Sequence, residues 1–176
     1  CPAQETSAEG AKPVVTLSFA GYQQLYATVE IVGKMAERQE LAKSLEGMLS
    51  LFTQGKGLAG LDKSRPWGVV VSATGEGAFP VMGFVPVNDL KQLMSVVPNP
   101  ATGEPFEPDA EGVYEVQNGR QSLFIMQKGK WAYVVPQRDA LKGLPIDPAK
   151  VLGDLPSRYL VGVRVSIQNI PAKVRE

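Results

Sequence analysis

The chain contains few of the side chains on which enzymatic catalysis usually depends. Its 176 residues include no histidine and a single cysteine, Cys1. Without histidine, Ser-His-Asp and Cys-His catalysis cannot be assembled within the chain, and the commonest general base and transition-metal ligand is missing from the sequence. A zinc site would have to combine carboxylates with one thiolate, which matches the preferences of zinc poorly. Carboxylates and serine–lysine pairs are what remain for hydrolytic chemistry.

Two hydrolytic arrangements stay open on this basis. Lys63 and Ser64 are adjacent and could act as a serine–lysine pair. The 18 acidic residues offer many carboxylate pairs, but none with a diagnostic spacing. Lys63 and Ser64 precede Pro66 in a polar stretch that is typical of an exposed turn. We keep a carboxylate- or serine–lysine-dependent hydrolase as the alternative function and assign no catalytic residue.

Two further motifs could hold a cofactor or a metal ion. Residues 55–60 fit the pattern G-x-G-x-x-G, but a dinucleotide site needs a strand before the glycines and a helix after them. Here the predicted order is reversed. The acidic stretch 104–111 contains oxygen ligands for Ca²⁺ without the regular spacing of a calcium-binding loop. The simpler interpretations are a glycine-rich connection and a solvated loop, so we predict no cofactor and no metal ligand.

The position of Cys1 suggests a modification. A mature bacterial lipoprotein begins with a cysteine that carries the lipid. Residues 2–12 are small and polar, as expected of a flexible tether. We therefore interpret residues 1–12 as a tether and Cys1 as a candidate lipid attachment site. The alternatives, an arbitrary boundary of the sequence or a remnant of the end of a signal sequence, stay open.

Trp67 and Trp131 each begin a predicted strand. Aromatic residues in strands usually pack in the core or against a neighbouring strand, and we expect Trp67 to lie in the core. Trp131 is left open because Lys128 and Lys130 flank it. Together, Trp131, Lys128 and Lys130 form a candidate surface binding site in which the indole would stack on a ligand.

The charge balance restricts the partners of the chain. Its 18 basic and 18 acidic residues give a net charge of zero. Binding to nucleic acid or to anionic lipid needs clustered lysine and arginine, so we expect neither. The longest apolar stretch, residues 78–87, is interrupted by Pro80 and Pro86 and is far shorter than the roughly 18 residues of a membrane-spanning helix.

The apolar periodicity predicts the elements that would position these residues. Residues 15–19 alternate between apolar and polar, so we expect Val15, Leu17 and Phe19 to face the core and Thr16 and Ser18 to face solvent. Further strands are predicted at 67–73, 79–87, 113–117, 122–127, 131–136 and 159–168, amphipathic helices at 22–36, 41–52 and 88–97, and short helical segments at 138–143 and 147–152.

Hairpins and grouped helices indicate an α+β fold, with an antiparallel or mixed sheet covered on one face by the helix pair and the short helix. Residues 13–176 are enough for one domain with a single core. Residues 163–167 repeat the apolar positions and the central serine of residues 15–19, at an offset of 148 residues. One interpretation is that residues 160–176 begin a second repeat module; the other is that two half-buried strands look alike.

Two segments carry a resemblance to known proteins. Residues 57–68 (GLAGLDKSRPWG) and 144–153 (LPIDPAKVLG) resemble motifs of uncharacterised exported proteins from planctomycete bacteria, as does the hairpin end at 83–90 (GFVPVNDL). The chain is also similar to a broader domain of unknown function in exported bacterial proteins. The resemblance covers most of the chain after residue 13. It implies export and longer chains with more than one such module, and it transfers no catalytic residue.

These observations predict a non-enzymatic, exported α+β module that binds or supports other components of the cell envelope. We expect it in the periplasm or tethered to a membrane through lipidated Cys1. An exposed edge strand would serve for a protein partner or for self-association, because unpaired backbone groups at a sheet edge can accept another strand.

Overall fold

The computed structural model describes residues 11–38, 57–96, 102–118 and 121–172, with single positions at 40, 43, 44, 47 and 99. It confirms the predicted α+β class. The strands are β1 (Lys12–Phe19), β2 (Trp67–Ala73), β3 (Val81–Pro86), β4 (Tyr114–Asn118), β5 (Gln121–Lys128), β6 (Trp131–Val135) and β7 (Val161–Val165). The helices are α1 (Tyr22–Met35), α2 (Leu90–Val96) and the single turn α3 (Leu155–Arg158), and 3-10 turns cover Arg138–Gly143, Pro148–Leu152 and Ile167–Asn169.

The seven strands form one sheet in the order β4-β5-β6-β3-β2-β1-β7. Every neighbouring pair is antiparallel, so the antiparallel alternative of the sequence-based prediction is confirmed. β1 pairs with β2 on one side and with β7 on the other, although β7 comes last along the chain. Among the described strands, β4 and β7 therefore form the two edges of the sheet.

One face of the sheet is covered by the first two 3-10 turns and α3. Val70, Phe84, Tyr133 and Leu152 are buried there in one hydrophobic cluster. The Tyr133 hydroxyl donates a hydrogen bond of 2.6 Å to the carbonyl oxygen of Pro145, which ties the connection between the first two 3-10 turns to the sheet. Burial raises the pKa of Tyr133 to about 12. The predicted helical segments at 138–143 and 147–152 are thus 3-10 turns that cover the core.

The other face is covered by α2 at one end of the sheet. Leu90 and Met94 of α2 pack with Tyr114 of β4 and Ala132 of β6. The helix is also held by a hydrogen bond of 2.8 Å from the Leu90 backbone N–H to the Gln127 side chain. α2 therefore covers the end of the sheet that lies away from β7.

α1 forms where the periodicity predicts it, but its apolar side chains are largely exposed. Leu25, Val32 and Met35 are all exposed, and Gly33 is buried. The second predicted helix, at 41–52, lies almost entirely outside the described residues. No helix in the described part of the chain is long and apolar enough to cross a membrane.

β1 faces opposite to the orientation predicted from its alternation. Thr16 and Ser18 are buried, with 4% and 1% of their surface exposed, whereas Leu17 is only half-buried on the opposite face. The expectation that Thr16 and Ser18 face solvent is therefore wrong. The polar side of the strand is the side that packs under the 3-10 turns.

The reason is a row of three small residues across the sheet. Ser18 lies between Gly68 of β2 and Gly162 of β7 in the strand register. A Cβ atom on Gly68 would lie 2.8 Å from Leu152 Cδ2, and one on Gly162 would lie 3.2 Å from Leu155 Cδ2. Because the two glycines have no side chain and Ser18 has a small one, both leucines can pack closely against the backbone of this row. Because those leucines come from far along the chain, the local alternation of β1 carries no sign of them.

We predict that Gly68→Ala destabilises the fold whereas Gly83→Ala, the matched change in β3, does not. The added Cβ at Gly68 would lie 2.5 Å from the backbone oxygen of Leu17, but at Gly83 its nearest neighbour would be 3.5 Å away. Overpacking of this kind costs about 1–3 kcal/mol. Chemical denaturation should show that loss in the free energy of unfolding for Gly68→Ala alone. Equal effects of the two substitutions would contradict the tight packing under Leu152.

Candidate interaction surface

The candidate serine–lysine pair lies in the turn before β2. The Ser64 hydroxyl donates a hydrogen bond of 2.6 Å to Asp62 Oδ1, and Arg65 Nε lies 3.2 Å from Asp62 Oδ2. The hydrogen bond from Ser64 is the main reason that the pKa of Asp62 is lowered. The Lys63 ammonium lies 5.5 Å from the centre of the Tyr22 ring. Ser64 and Asp62 thus stabilise the turn, while Lys63 is directed at an aromatic ring.

The acidic loop is organised around an arginine. Asp109 Oδ1 accepts hydrogen bonds of 2.9 Å from the backbone N–H groups of Glu111 and Val113. Arg138 donates hydrogen bonds to the carboxylates of Asp109 and Glu111. The bond from Val113, followed by the contact with Arg138, lowers the pKa of Asp109. Across the described residues, no group of three or more acidic or cysteine side chains converges as a metal site would.

Trp131 is a core residue and does not form an exposed binding site with Lys128 and Lys130. Only 6% of its surface is exposed, and its ring packs edge-to-face on Phe84 with centroids 5.7 Å apart. Lys128 Nζ donates a hydrogen bond of 2.7 Å to the Leu144 carbonyl oxygen. The sequence left the environment of Trp131 open, and the structure places it in the core, because its ring points to the face that the 3-10 turns cover. Cys1 lies outside the described residues.

The most distinctive surface is an apolar patch at the β7 end of the sheet. Residues that are directly opposite in the strand register point to the same face. Three such rows cross β2, β1 and β7, and none of their side chains is charged. We call this patch the apolar face; it consists of Val15, Leu17 and Phe19 of β1, Trp67, Val69 and Val71 of β2, and Val161, Val163 and Val165 of β7.

Exposure increases across the apolar face toward the sheet edge. Trp67 is not in the core as predicted: it is half-buried on this face. It stacks on half-buried Phe19, with centroids 4.0 Å apart and an angle of 10° between the rings. The side chains of Val161, Val163 and Val165 are 54%, 60% and 57% exposed. The gradient arises because β1 has neighbours on both sides, whereas β7 pairs only with β1 in the described part of the chain.

The backbone of β7 presents hydrogen-bonding groups to the outside. The Ser166 N–H donates to the Val14 carbonyl oxygen at 2.7 Å, and the Leu160 carbonyl oxygen accepts from Ala20 at 2.9 Å. Even-numbered residues of this segment therefore direct their N–H and C=O groups toward β1. In an antiparallel ladder the direction alternates, so Val161, Val163 and Val165 direct theirs away from the sheet. This edge can accept a further strand.

An open cleft of about 440 Å³ lies beside β7, next to α3. Asp154 accepts hydrogen bonds of 2.7 Å from Arg164 and 3.3 Å from Arg158. The contact with Arg158 is the main cause of the lowered pKa of Asp154. Arg158 also lies 5.6 Å from the centre of the Tyr159 ring. The charges of the cleft are thus paired with one another, and its β7 wall is the most exposed strand of the sheet.

No family model matches this chain, and neither the curated proteins nor the solved structures contain a match.

Sequence reasoning predicted an exposed edge strand without assigning the edge to β7. The sequence signal was the alternation of Val161, Val163 and Val165 with Gly162 and Arg164. It is ambiguous alone, because three apolar residues normally mark the buried side of a strand. The glycine marks the packed side here, since Leu155 lies against it.

Proposed function

We propose that the chain is a non-enzymatic, exported module of the cell envelope that binds protein through the free edge of β7 and the apolar face. The observation that carries the proposal is the coincidence of two features on one strand. Val161, Val163 and Val165 present exposed apolar side chains, and the antiparallel register turns their backbone groups outward. An unpaired strand edge beside exposed apolar side chains is normally covered in the functional state of a protein.

The chemistry of the surface favours an extended protein segment as its ligand. A strand added to β7 would form main-chain hydrogen bonds with the three outward-facing valines, and its own apolar side chains would extend the apolar face. The absence of charge on the apolar face and the net charge of zero favour an apolar protein partner over nucleic acid. The hydrolase alternative gains no support from the turn at Ser64, because its hydroxyl and Lys63 have separate contacts.

We predict that the isolated chain self-associates through this edge and that Val163→Pro weakens the association by at least about tenfold. Proline removes an outward N–H but leaves the ladder to β1 intact. A symmetric dimer would lose roughly 1 kcal/mol at each of two positions, and about 1.4 kcal/mol is a tenfold change. Sedimentation analysis over a range of concentrations measures the effect, with circular dichroism to show that the fold is kept.

Val163→Lys, which places a charge on the apolar face, should act in the same direction and is useful if the proline variant unfolds. The matched control is Ile146→Lys, which changes a 78% exposed apolar residue in the connection between the first two 3-10 turns. A chain that stays monomeric at every concentration would contradict the proposal. Equal association of the Val163 variants and the Ile146 control would also contradict it.

Export and the lipid tether form a separate part of the proposal, supported by Cys1, by the polar composition of residues 2–12 and by the resemblance described above. We predict that the protein isolated from its native membrane carries a lipid on Cys1. Mass spectrometry of the N-terminal peptide would show the added mass. An unmodified Cys1 in that peptide, or further residues before it, would contradict the tether.

A further inference from the structure

We propose that the partner of β7 is a second copy of this fold, in which β7 is the first strand and the counterpart of β2 pairs with the free edge. The inference rests on the proposed function, because it names the partner of the same surface. Two observations carry it, one from the sequence and one from the strand register.

The sequence observation is a match between β1 and residues 163–167, of which the first three belong to β7 and the last, Ile167, begins the third 3-10 turn. Residues 15–19 (VTLSF) and 163–167 (VRVSI) share apolar residues at three alternate positions and a serine at the fourth position. The match makes Val163 the counterpart of Val15 and Val165 the counterpart of Leu17. Both strands also lead into helical structure, since α1 begins at Tyr22 and the chain is again helical at Ala172.

The register observation is that β1 and β7 pair reciprocally. Val15 lies opposite Val165, and Leu17 lies opposite Val163. Val15 therefore faces the counterpart of Leu17, and Leu17 faces the counterpart of Val15. Thr16 faces its own counterpart, Arg164. Two matching segments that pair antiparallel always make reciprocal contacts about a two-fold axis. What the register adds is that the centre of this pairing falls within the matched residues. The axis would pass between Thr16 and Arg164, and the sequence match alone did not require the two strands to be neighbours.

The axis also specifies what should lie on the other side of β7. On the β2 side of β1, Leu17 faces Val69 and Phe19 faces Trp67. The same arrangement in the second copy would continue the sheet beyond β7. The resulting pairs are the counterpart of Val69 with Val165 and the counterpart of Val71 with Val163. Ile167, the counterpart of Phe19, lies in a 3-10 turn beyond the end of β7 and has no place in this register.

The test uses the full chain and a peptide of residues 66–74, which contains β2. We expect the peptide to slow hydrogen exchange at the N–H groups of Val161, Val163 and Val165, and to reverse self-association of the chain. A peptide with Val69→Pro, which cannot form the same ladder, is the matched control and should do neither. Absence of binding by the unmodified peptide would overturn the inference.

The rate of disulfide formation between introduced cysteines measures the register of the peptide on β7. In a chain with Cys1→Ser, a Val69→Cys peptide should form a disulfide with the Val165→Cys chain much faster than with the Val161→Cys chain, because only the first pair is directly opposite. Equal rates would overturn the two-fold arrangement. A second contrary result would be the formation of disulfide-linked pairs of Val163→Cys chains that the β2 peptide does not suppress. In that case the partner of β7 would be β7 of another chain.

The two proposals fail in distinguishable ways. If Val163→Pro weakens self-association but the β2 peptide does not bind in the stated register, the second copy is wrong and the proposed function stands. If Val163→Pro has no effect on association and the peptide does not bind, both are wrong.

Discussion

The packing of Leu152 and Leu155 on the row Gly162–Ser18–Gly68 is the constraint on which the rest of the structure depends. It decides which face of the three strands at this end of the sheet is covered. Because side chains alternate along a strand, turning the small residues toward the leucines turns every intervening apolar residue to the opposite face. The apolar face is thus a consequence of core packing on the other side of the same strands. The fold buries the polar side of β1 and leaves the valines of β7 exposed.

The sequence predicted the elements more successfully than their environment. Hairpins, the α+β class and the short helical segments at 138–143 and 147–152 follow from local periodicity and turn residues, which act over a few positions. The orientation of β1 and the burial of Trp131 do not, because both depend on contacts with segments distant in sequence. Gly68 and Gly162 were visible in the sequence, but their meaning depends on the leucines that lie against them. The position of β7 beside β1 is equally non-local.

The polar clusters and the apolar face play different parts. Asp62, Asp109 and Asp154 each have an arginine partner, and hydrogen bonds help to lower the pKa of each carboxyl group. Carboxylates held in the ionised form by such contacts organise turns and are poorly suited to donate a proton near neutral pH. The free edge of β7, in contrast, combines outward backbone groups with three exposed valines on the apolar face. This contrast favours binding over catalysis as the role of the chain.

The measurement that tests the account most directly is amide hydrogen exchange along β7 in dilute solution. We expect alternation: the N–H groups of Gly162 and Arg164, which donate to β1, exchange slowly, whereas those of Val161, Val163 and Val165 exchange fast. Equal protection at all five positions would show that the outer edge is already covered within the chain. Fast exchange at Gly162 and Arg164 would show that β7 does not pair with β1. Either result would contradict a free edge at this end of the sheet.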